Sequence, residues 1–172
     1  MNIEACNSFL TKRLSQKYST RETQNLTRII LEDAFGVGSK EGFQAPTMDE
    51  IEELLVQLEQ GIPIQYIVGK SHFYDYILKV NPAVLIPRPE TEELVSYVLE
   101  DINPNDILNV MDIGTGSGCI ALALKQQRVL IKVIGVDQSE DALEVANFNA
   151  EMLNIDVRFI KDDITQPNTK YP

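Results

Sequence analysis

Apolar side chains recur at intervals of three and four through the first third of the chain. Ile3, Cys6, Phe9, Leu10 and Leu14 fall on one side of a helix over residues 3–16. Ser19 and Glu22, three apart, form a capping box and start a second helix. That helix turns Leu26, Ile29, Ile30 and Phe35 inward and stops at Gly36. The stretch from Gly36 to Pro46 holds three glycines and a proline, which predicts a loop. Thr47 and Glu50 repeat the capping box. Ile51, Leu54, Leu55 and Leu58 then form the stripe of a third helix, closed by Gly61 and Pro63. These elements predict a small helical bundle over residues 1–70.

The period then shortens. Phe73, Tyr74 and Tyr76, followed by Ile77, Leu78 and Val80, precede the pair Asn81–Pro82 and the run Ala83–Ile86. The pattern predicts two strands about a turn at Asn81–Pro82, a β-hairpin connector over residues 71–87. A helix follows Pro89, with Leu94, Val95, Val98 and Leu99 on one face. From Ile107 onward strands and helices alternate as in an open α/β sheet. Ile107–Ile113 is a strand, Gly114–Gly118 a glycine loop and Ile120–Gln127 a helix; Ile131–Asp137 is the next strand. Ser139 caps a helix that Asn154 stops, and a third strand, Val157–Ile160, runs into Asp162–Asp163. The expected fold class is α/β: a helical bundle, a hairpin connector, and the first half of a parallel sheet over residues 88–172.

The chain has 172 residues, 44% hydrophobic and 24% charged, which excludes a disordered or fibrous protein. Its formal charge of −11 is uneven: residues 1–86 carry 8 basic and 11 acidic side chains, the remainder 7 and 15. Such a surface lacks the basic footprint that non-specific nucleic-acid or anionic-membrane binding requires. Cys6 and Cys119 lie far apart, and the chain opens without a basic-then-apolar signal segment. A reducing cytoplasm without a disulfide framework is therefore expected. His72 is the one histidine and joins no Cys/His cluster, so no metal site is expected. No apolar run reaches the ~18 residues of a bilayer span.

The strongest chemical signal is Asp112-Ile-Gly114-Thr-Gly116-Ser-Gly118, set between a strand and a helix. Glycines there allow a tight turn and close approach of a ligand, and the helix N-terminus offers free N–H groups. The next strand ends in Asp137, 23 residues past Gly114, where a carboxylate can accept from both hydroxyls of a ribose. Together these define a nucleoside cofactor site at the carboxyl ends of the strands. The spacing G-x-G-x-G departs from the dinucleotide fingerprint G-x-G-x-x-G. Asp112, two before the first glycine, points to S-adenosylmethionine, whose ammonium group needs a nearby anion or carbonyl. A dinucleotide, or a glycine turn that binds nothing, are the alternatives. Asp162–Asp163 would lie where the loop passes the adenine, with Ile164 packing on the ring; two acids in a loop also suit a plain solvated turn.

A second motif lies upstream. The runs Pro63-Ile-Gln-Tyr66-Ile-Val-Gly69, then Phe73, then Leu85-Ile-Pro87-Arg88-Pro89-Glu90-Thr91-Glu92-Glu93-Leu94-Val95 resemble the signature of HemK-like peptide chain release factor glutamine methyltransferases. Without the family, the second run reads as a proline-stiffened corner whose acids crowd a helix N-terminus. The resemblance covers essentially the whole chain. It implies a helical substrate-recognition domain, a hairpin, and a Rossmann-like S-adenosylmethionine domain whose first three strands take the order 3-2-1. It further implies that Gly114, Thr115, Gly116, Ser117 and Gly118 underlie the methionine part of the cofactor. Asp137 would hold the ribose, Asp163 and Ile164 would meet the adenine, and Arg88, Pro89 and Thr91 would line the pocket mouth.

Family members methylate the side-chain amide of the glutamine in the Gly-Gly-Gln loop of release factors. An Asn-Pro-Pro-Tyr motif after the fourth strand orients that amide in the family. The nearest Asn-Pro pairs here, Asn81-Pro82 and Asn103-Pro104, lack the second proline and the tyrosine. No catalytic residue is therefore expected within this chain, which reads as ending before that motif. The expected first strand of the sheet then keeps an unpaired edge, which favours self-association of this chain. His72 is expected to be a structural or surface residue and Cys119 to pack on the strand. Methylation of a ribosomal-protein glutamine or a nucleic-acid adenine, and a non-catalytic protein-binding module, are the competing readings.

Overall fold

The computed structural model describes residues 1–166 and 171. The chain divides into two compact units, Met1–Val68 and the part from Gly69 onward.

In the first unit, α1 (Ile3–Leu14) is capped by Asn2, whose Oδ1 accepts the Ala5 N–H at 2.8 Å. Cys6, Leu10 and Leu14 are buried, whereas Ile3 in the opening turn is left 41% exposed. The capping box opens α2 (Thr20–Ile29) as expected, with Glu22 Oε2 accepting both the Ser19 N–H at 3.1 Å and its hydroxyl at 2.6 Å. That helix does not run unbroken to Gly36. A π-helical turn, Ile30–Ala34, follows, in which the Phe35 N–H donates to Ile30 O at 3.2 Å. Ile29, Ile30, Leu31 and Phe35 are all buried. A regular α-helix would spread three consecutive residues around its axis, and the widened turn brings them into one core.

Thr47 and Glu50 cap α3 (Met48–Glu59), which buries Ile51, Leu54, Leu55 and Leu58; the short α4 (Ile64–Val68) adds Ile64. Arg13 bridges α1 to α3 by two bonds to the Glu52 carboxylate, at 2.5 and 3.2 Å.

The second unit opens with the hairpin of β1 (Lys70–Phe73) and β2 (Tyr76–Lys79), paired antiparallel with Phe73 opposite Tyr76. Its turn is therefore Tyr74–Asp75 rather than Asn81–Pro82. Tyr74 takes the left-handed conformation, φ 51°. It is anchored there from outside the hairpin: its N–H donates to Glu92 Oε1 and its hydroxyl to Glu92 O, each at 2.8 Å. Asn81 builds a separate turn, accepting the Ala83 N–H on Oδ1 at 2.9 Å. The run Ala83–Ile86, expected as a strand, has no strand pairing. Pro89 then begins α5 (Pro89–Asp101).

Three parallel strands follow: β3 (Asn109–Ile113), β4 (Lys132–Asp137) and β5 (Arg158–Lys161), in the order β3-β4-β5. Between them lie α6 (Cys119–Gln127) and α7 (Glu140–Leu153), the latter stopped by Asn154 at φ 53°. The expected α/β class and 3-2-1 strand order are thus present. Phe73, Leu78, Val95, Leu122, Ile131 and Ala150 belong to one apolar core. Among the described residues the outer edge of β3 has no partner strand, and Met111 and Ile113 are 36% and 52% exposed. Among the described residues no helix is long and apolar enough to cross a membrane.

Candidate functional site

The glycine loop leaves the carboxyl end of β3 and is fastened to β4 by its own backbone. The N–H groups of Gly114 and Thr115 both donate to Val136 O, at 2.8 and 3.0 Å, and Gly118 N–H closes the loop on Thr115 O at 2.8 Å. Gly114, Gly116 and Gly118 have φ of 73°, 55° and 80°, which side chains with a Cβ disfavour. Their surroundings differ. A Cβ on Gly114 would meet nothing within 4 Å, so the space above that end is open. A Cβ on Gly118 would sit 3.0 Å from Phe159 Cζ and 3.3 Å from the Cβ of Ala146, so this glycine serves close packing.

Asp137, the last residue of β4, accepts the Gly116 N–H on Oδ2 at 2.9 Å and the Ser139 N–H on Oδ1 at 3.0 Å. A carboxylate offers about four lone-pair sites, so acceptor capacity remains for a ligand. Beside it opens a cavity of about 210 Å³, lined by Ile113, Gly114, Val136, Asp137, Gln138, Asp162, Asp163, Ile164 and Thr165. Sites that enclose a whole small ligand run to ~300–1,000 Å³, so this one suits part of a ligand.

The two acids after β5 differ. Asp162 is only 5% exposed; its N–H donates to Asp137 O at 3.1 Å and its Oδ2 accepts the Tyr171 hydroxyl at 2.5 Å. That carboxylate pushes the Tyr171 phenol up to about 12. Asp163 is exposed, and its Oδ1 accepts the Thr165 hydroxyl at 2.7 Å and N–H at 2.9 Å. These two bonds hold its carboxyl below the usual carboxylate range, so it is charged at neutral pH.

Gly114, Asp137, Asp163 and Ile164 thus line one cavity. Thr115 and Ser117 are 4% and 2% exposed and face inward, away from it. The Thr115 hydroxyl donates to Asp112 Oδ2 at 2.7 Å. Burial pushes the Asp112 carboxyl up, and it is not part of the cavity wall. Nor are Arg88, Pro89 and Thr91, which occupy the corner at the start of α5, where the Thr91 N–H donates to Arg88 O at 3.0 Å. Burial lifts the Cys119 thiol to about 11, which fits packing rather than nucleophilic chemistry. His72 lies on the exposed face of β1.

Two residues under the loop were not legible in the sequence. A Cβ on Gly135 of β4 would lie 2.5 Å from Phe159 Cδ1 and 2.8 Å from Thr115 Oγ1. The absence of a side chain there lets the Phe159 ring and the loop pack directly on the sheet. A glycine inside a strand is the one signal that hinted at such an approach.

A methyltransferase-domain family matches residues 104–171. The release factor glutamine methyltransferase of Bacillus subtilis (strain 168) is 46% identical over 116 residues, 65% of this chain and 40% of that protein. The release factor glutamine methyltransferase of Bacteroides thetaiotaomicron is 37% identical over 164 residues, 91% of this chain and 58% of that protein. The chain therefore spans about half the length of the curated relatives it matches. Among solved structures, a tRNA (uracil-54, C5)-methyltransferase of Pyrococcus abyssi in complex with S-adenosyl-L-homocysteine is similar. It has a TM-score of 0.49 and 22% identity, covering 59% of this chain and 25% of that one.

Proposed function

We propose, from the HemK-like family to which the chain belongs, that the whole protein transfers the methyl group of S-adenosylmethionine to a glutamine side-chain amide. The glutamine is the one in the Gly-Gly-Gln motif of peptide chain release factors. The observation that carries the reading is the likeness to the release factor glutamine methyltransferases, which runs through both compact units. On it, residues 1–70 are the substrate-recognition domain, 71–87 the connector and 88–172 the cofactor-binding part.

The cavity suits the adenosine part of the cofactor: a carboxylate acceptor at the end of β4, open space over Gly114, and an apolar side chain, Ile164, beside a charged acid. S-adenosylmethionine supplies an electrophilic methyl group on a sulfonium sulfur. Asp137 would accept from the ribose hydroxyls. Asp163 would accept from the exocyclic amine of the adenine, and Ile164 would pack on the ring. The loop Gly114, Thr115, Gly116, Ser117, Gly118 would underlie the methionine portion, and Arg88, Pro89 and Thr91, which lie outside the cavity wall, would line the pocket mouth. An amide nitrogen is a poor nucleophile, so orienting it against the methyl carbon is the enzyme's main task. We assign that task to no residue of these 172.

We further propose a cytoplasmic location without nucleic-acid or membrane contact, which the −11 charge supports. The edge of β3, unpaired among the described residues, supports self-association of this chain. Mass spectrometry of a Gly-Gly-Gln release factor incubated with the whole protein, not these 172 residues alone, and S-adenosylmethionine tests the activity, one methyl on the glutamine being expected. Calorimetric titration with S-adenosylhomocysteine tests the site. Absence of binding overturns the cofactor assignment, and methylation only elsewhere overturns the substrate.

A further inference from the structure

Asn149 of α7 has no exposed surface, yet its side chain makes three hydrogen bonds. Its Oδ1 accepts the Lys79 N–H at 2.7 Å; its Nδ2 donates to Lys79 O at 3.1 Å and to Ser117 O at 2.9 Å. The helix around it is apolar on this side, with Ala142, Val145, Ala146 and Ala150 also buried. A polar group in such a place is tolerated only when its bonds are made. One acceptor and two donors on a short stem is what an asparagine amide supplies and an aspartate cannot.

What it joins matters more than how deeply it is buried. Lys79 ends β2, and both polar groups of its backbone are taken up by this one side chain, as a neighbouring strand would do. The Lys79 Nζ lies 4.2 Å from the centre of the Phe148 ring, so the same residue also rests on α7 by its side chain. Ser117 belongs to the glycine loop. Peptide planarity means that fixing the Ser117 carbonyl fixes the plane of the Ser117–Gly118 bond. The N–H of that plane is the one that closes the loop on Thr115 O. The left-handed turn at Gly118 and the entry into α6 follow from it.

We infer that Asn149 is a positioning residue for the cofactor loop: it locks the Ser117–Gly118 peptide and ties the loop to the end of the hairpin at Lys79. The inference rests on the reading of Gly114–Asp137 as the S-adenosylmethionine site.

The test uses the full chain with Asn149→Asp and the milder Asn149→Ser, and Asn147→Ala as the control on the same helix. Hydrogen exchange of backbone amides is read first, in the absence of cofactor. Exchange faster by about tenfold or more at Gly116–Ile120, with β4 and the middle of α7 within about twofold of the parent, is expected. Uniform acceleration across the second unit would reduce Asn149 to a core residue and overturn the inference, as would no change at all. Titration with S-adenosylhomocysteine, at a temperature where each variant is folded, is read second. A dissociation constant raised at least about tenfold for Asn149→Asp, less for Asn149→Ser and not for Asn147→Ala is expected. If the parent does not bind, the cofactor assignment fails, while the exchange data still decide the loop lock. If Asn149→Asp does not fold, Asn149→Ser decides both measurements.

Discussion

The Asp137 carboxylate meets the Gly116 N–H at 2.9 Å, so the last residue of β4 holds the middle of the glycine loop. The same side chain shapes the loop and faces the cavity. Loop geometry and ligand acceptor are therefore one residue's work, and removing it disturbs both.

Asp137→Ala is expected to raise the dissociation constant for S-adenosylhomocysteine at least about tenfold, since hydrogen bonds to a charged acceptor contribute ~1.5–3 kcal/mol each. Calorimetry measures it. A change under about twofold removes Asp137 from the site.

Gly135→Ala places a methyl 2.5 Å from one Phe159 ring carbon and 2.6 Å from the next. Overpacking of this kind costs ~1–3 kcal/mol. A lowered urea midpoint is expected, with part of the loss recovered when Phe159→Leu is added. A midpoint equal to the parent's would mean that β5 does not pack on β4 as described.

Glu22 and Glu50 have pKa values below the usual 4.5 because each accepts bonds from the backbone and side chain of its cap, Ser19 or Thr47. A carboxyl whose folded value is depressed contributes stability above its unfolded pKa and loses it as pH falls through the folded one. Thermal scans should therefore show stability declining as pH drops below about 4.5. The decline should be shallower in Glu22→Gln/Glu50→Gln, and an identical acid slope in that variant would refute the assignment.

Hydrogen exchange should rank the two units. The capped helices before Gly61 are expected to be strongly protected in a dilute monomer. Protection across Ile107–Ile160 is expected to be weaker, because among the described residues β3 pairs on one side only and its Ile113 is 52% exposed. Equal protection in both regions of a verified monomer contradicts this.

Periodicity and caps made most of the fold legible. Both capping boxes, the helix stop at Asn154 and the alternation after Ile107 stand where the spacing places them. The hairpin turn was misplaced because its turn residue is Tyr74, held at positive φ by Glu92 from another element, while Asn81–Pro82 offers the stronger local signal. The sequence likewise marks Gly114 and Asp137 as candidates, and both line the cavity at the end of β4. Asn149 escaped notice because a polar letter in a helix normally marks the solvated face. Its phase, three past Ala146 and seven past Ala142, puts it in the buried stripe. Asp112, the acid before the loop, accepts the Thr115 hydroxyl and lies outside the cavity wall.

In the sheet, order in space repeats order along the chain: β3 beside β4, β4 beside β5. Among the described residues no strand has to be inserted between two already paired. A ribosome delivering this chain from its N-terminus can thus have each strand dock as it emerges, and every crossover closes over a short stretch of polypeptide. The glycine loop and Asp137 come together as soon as β4 lands.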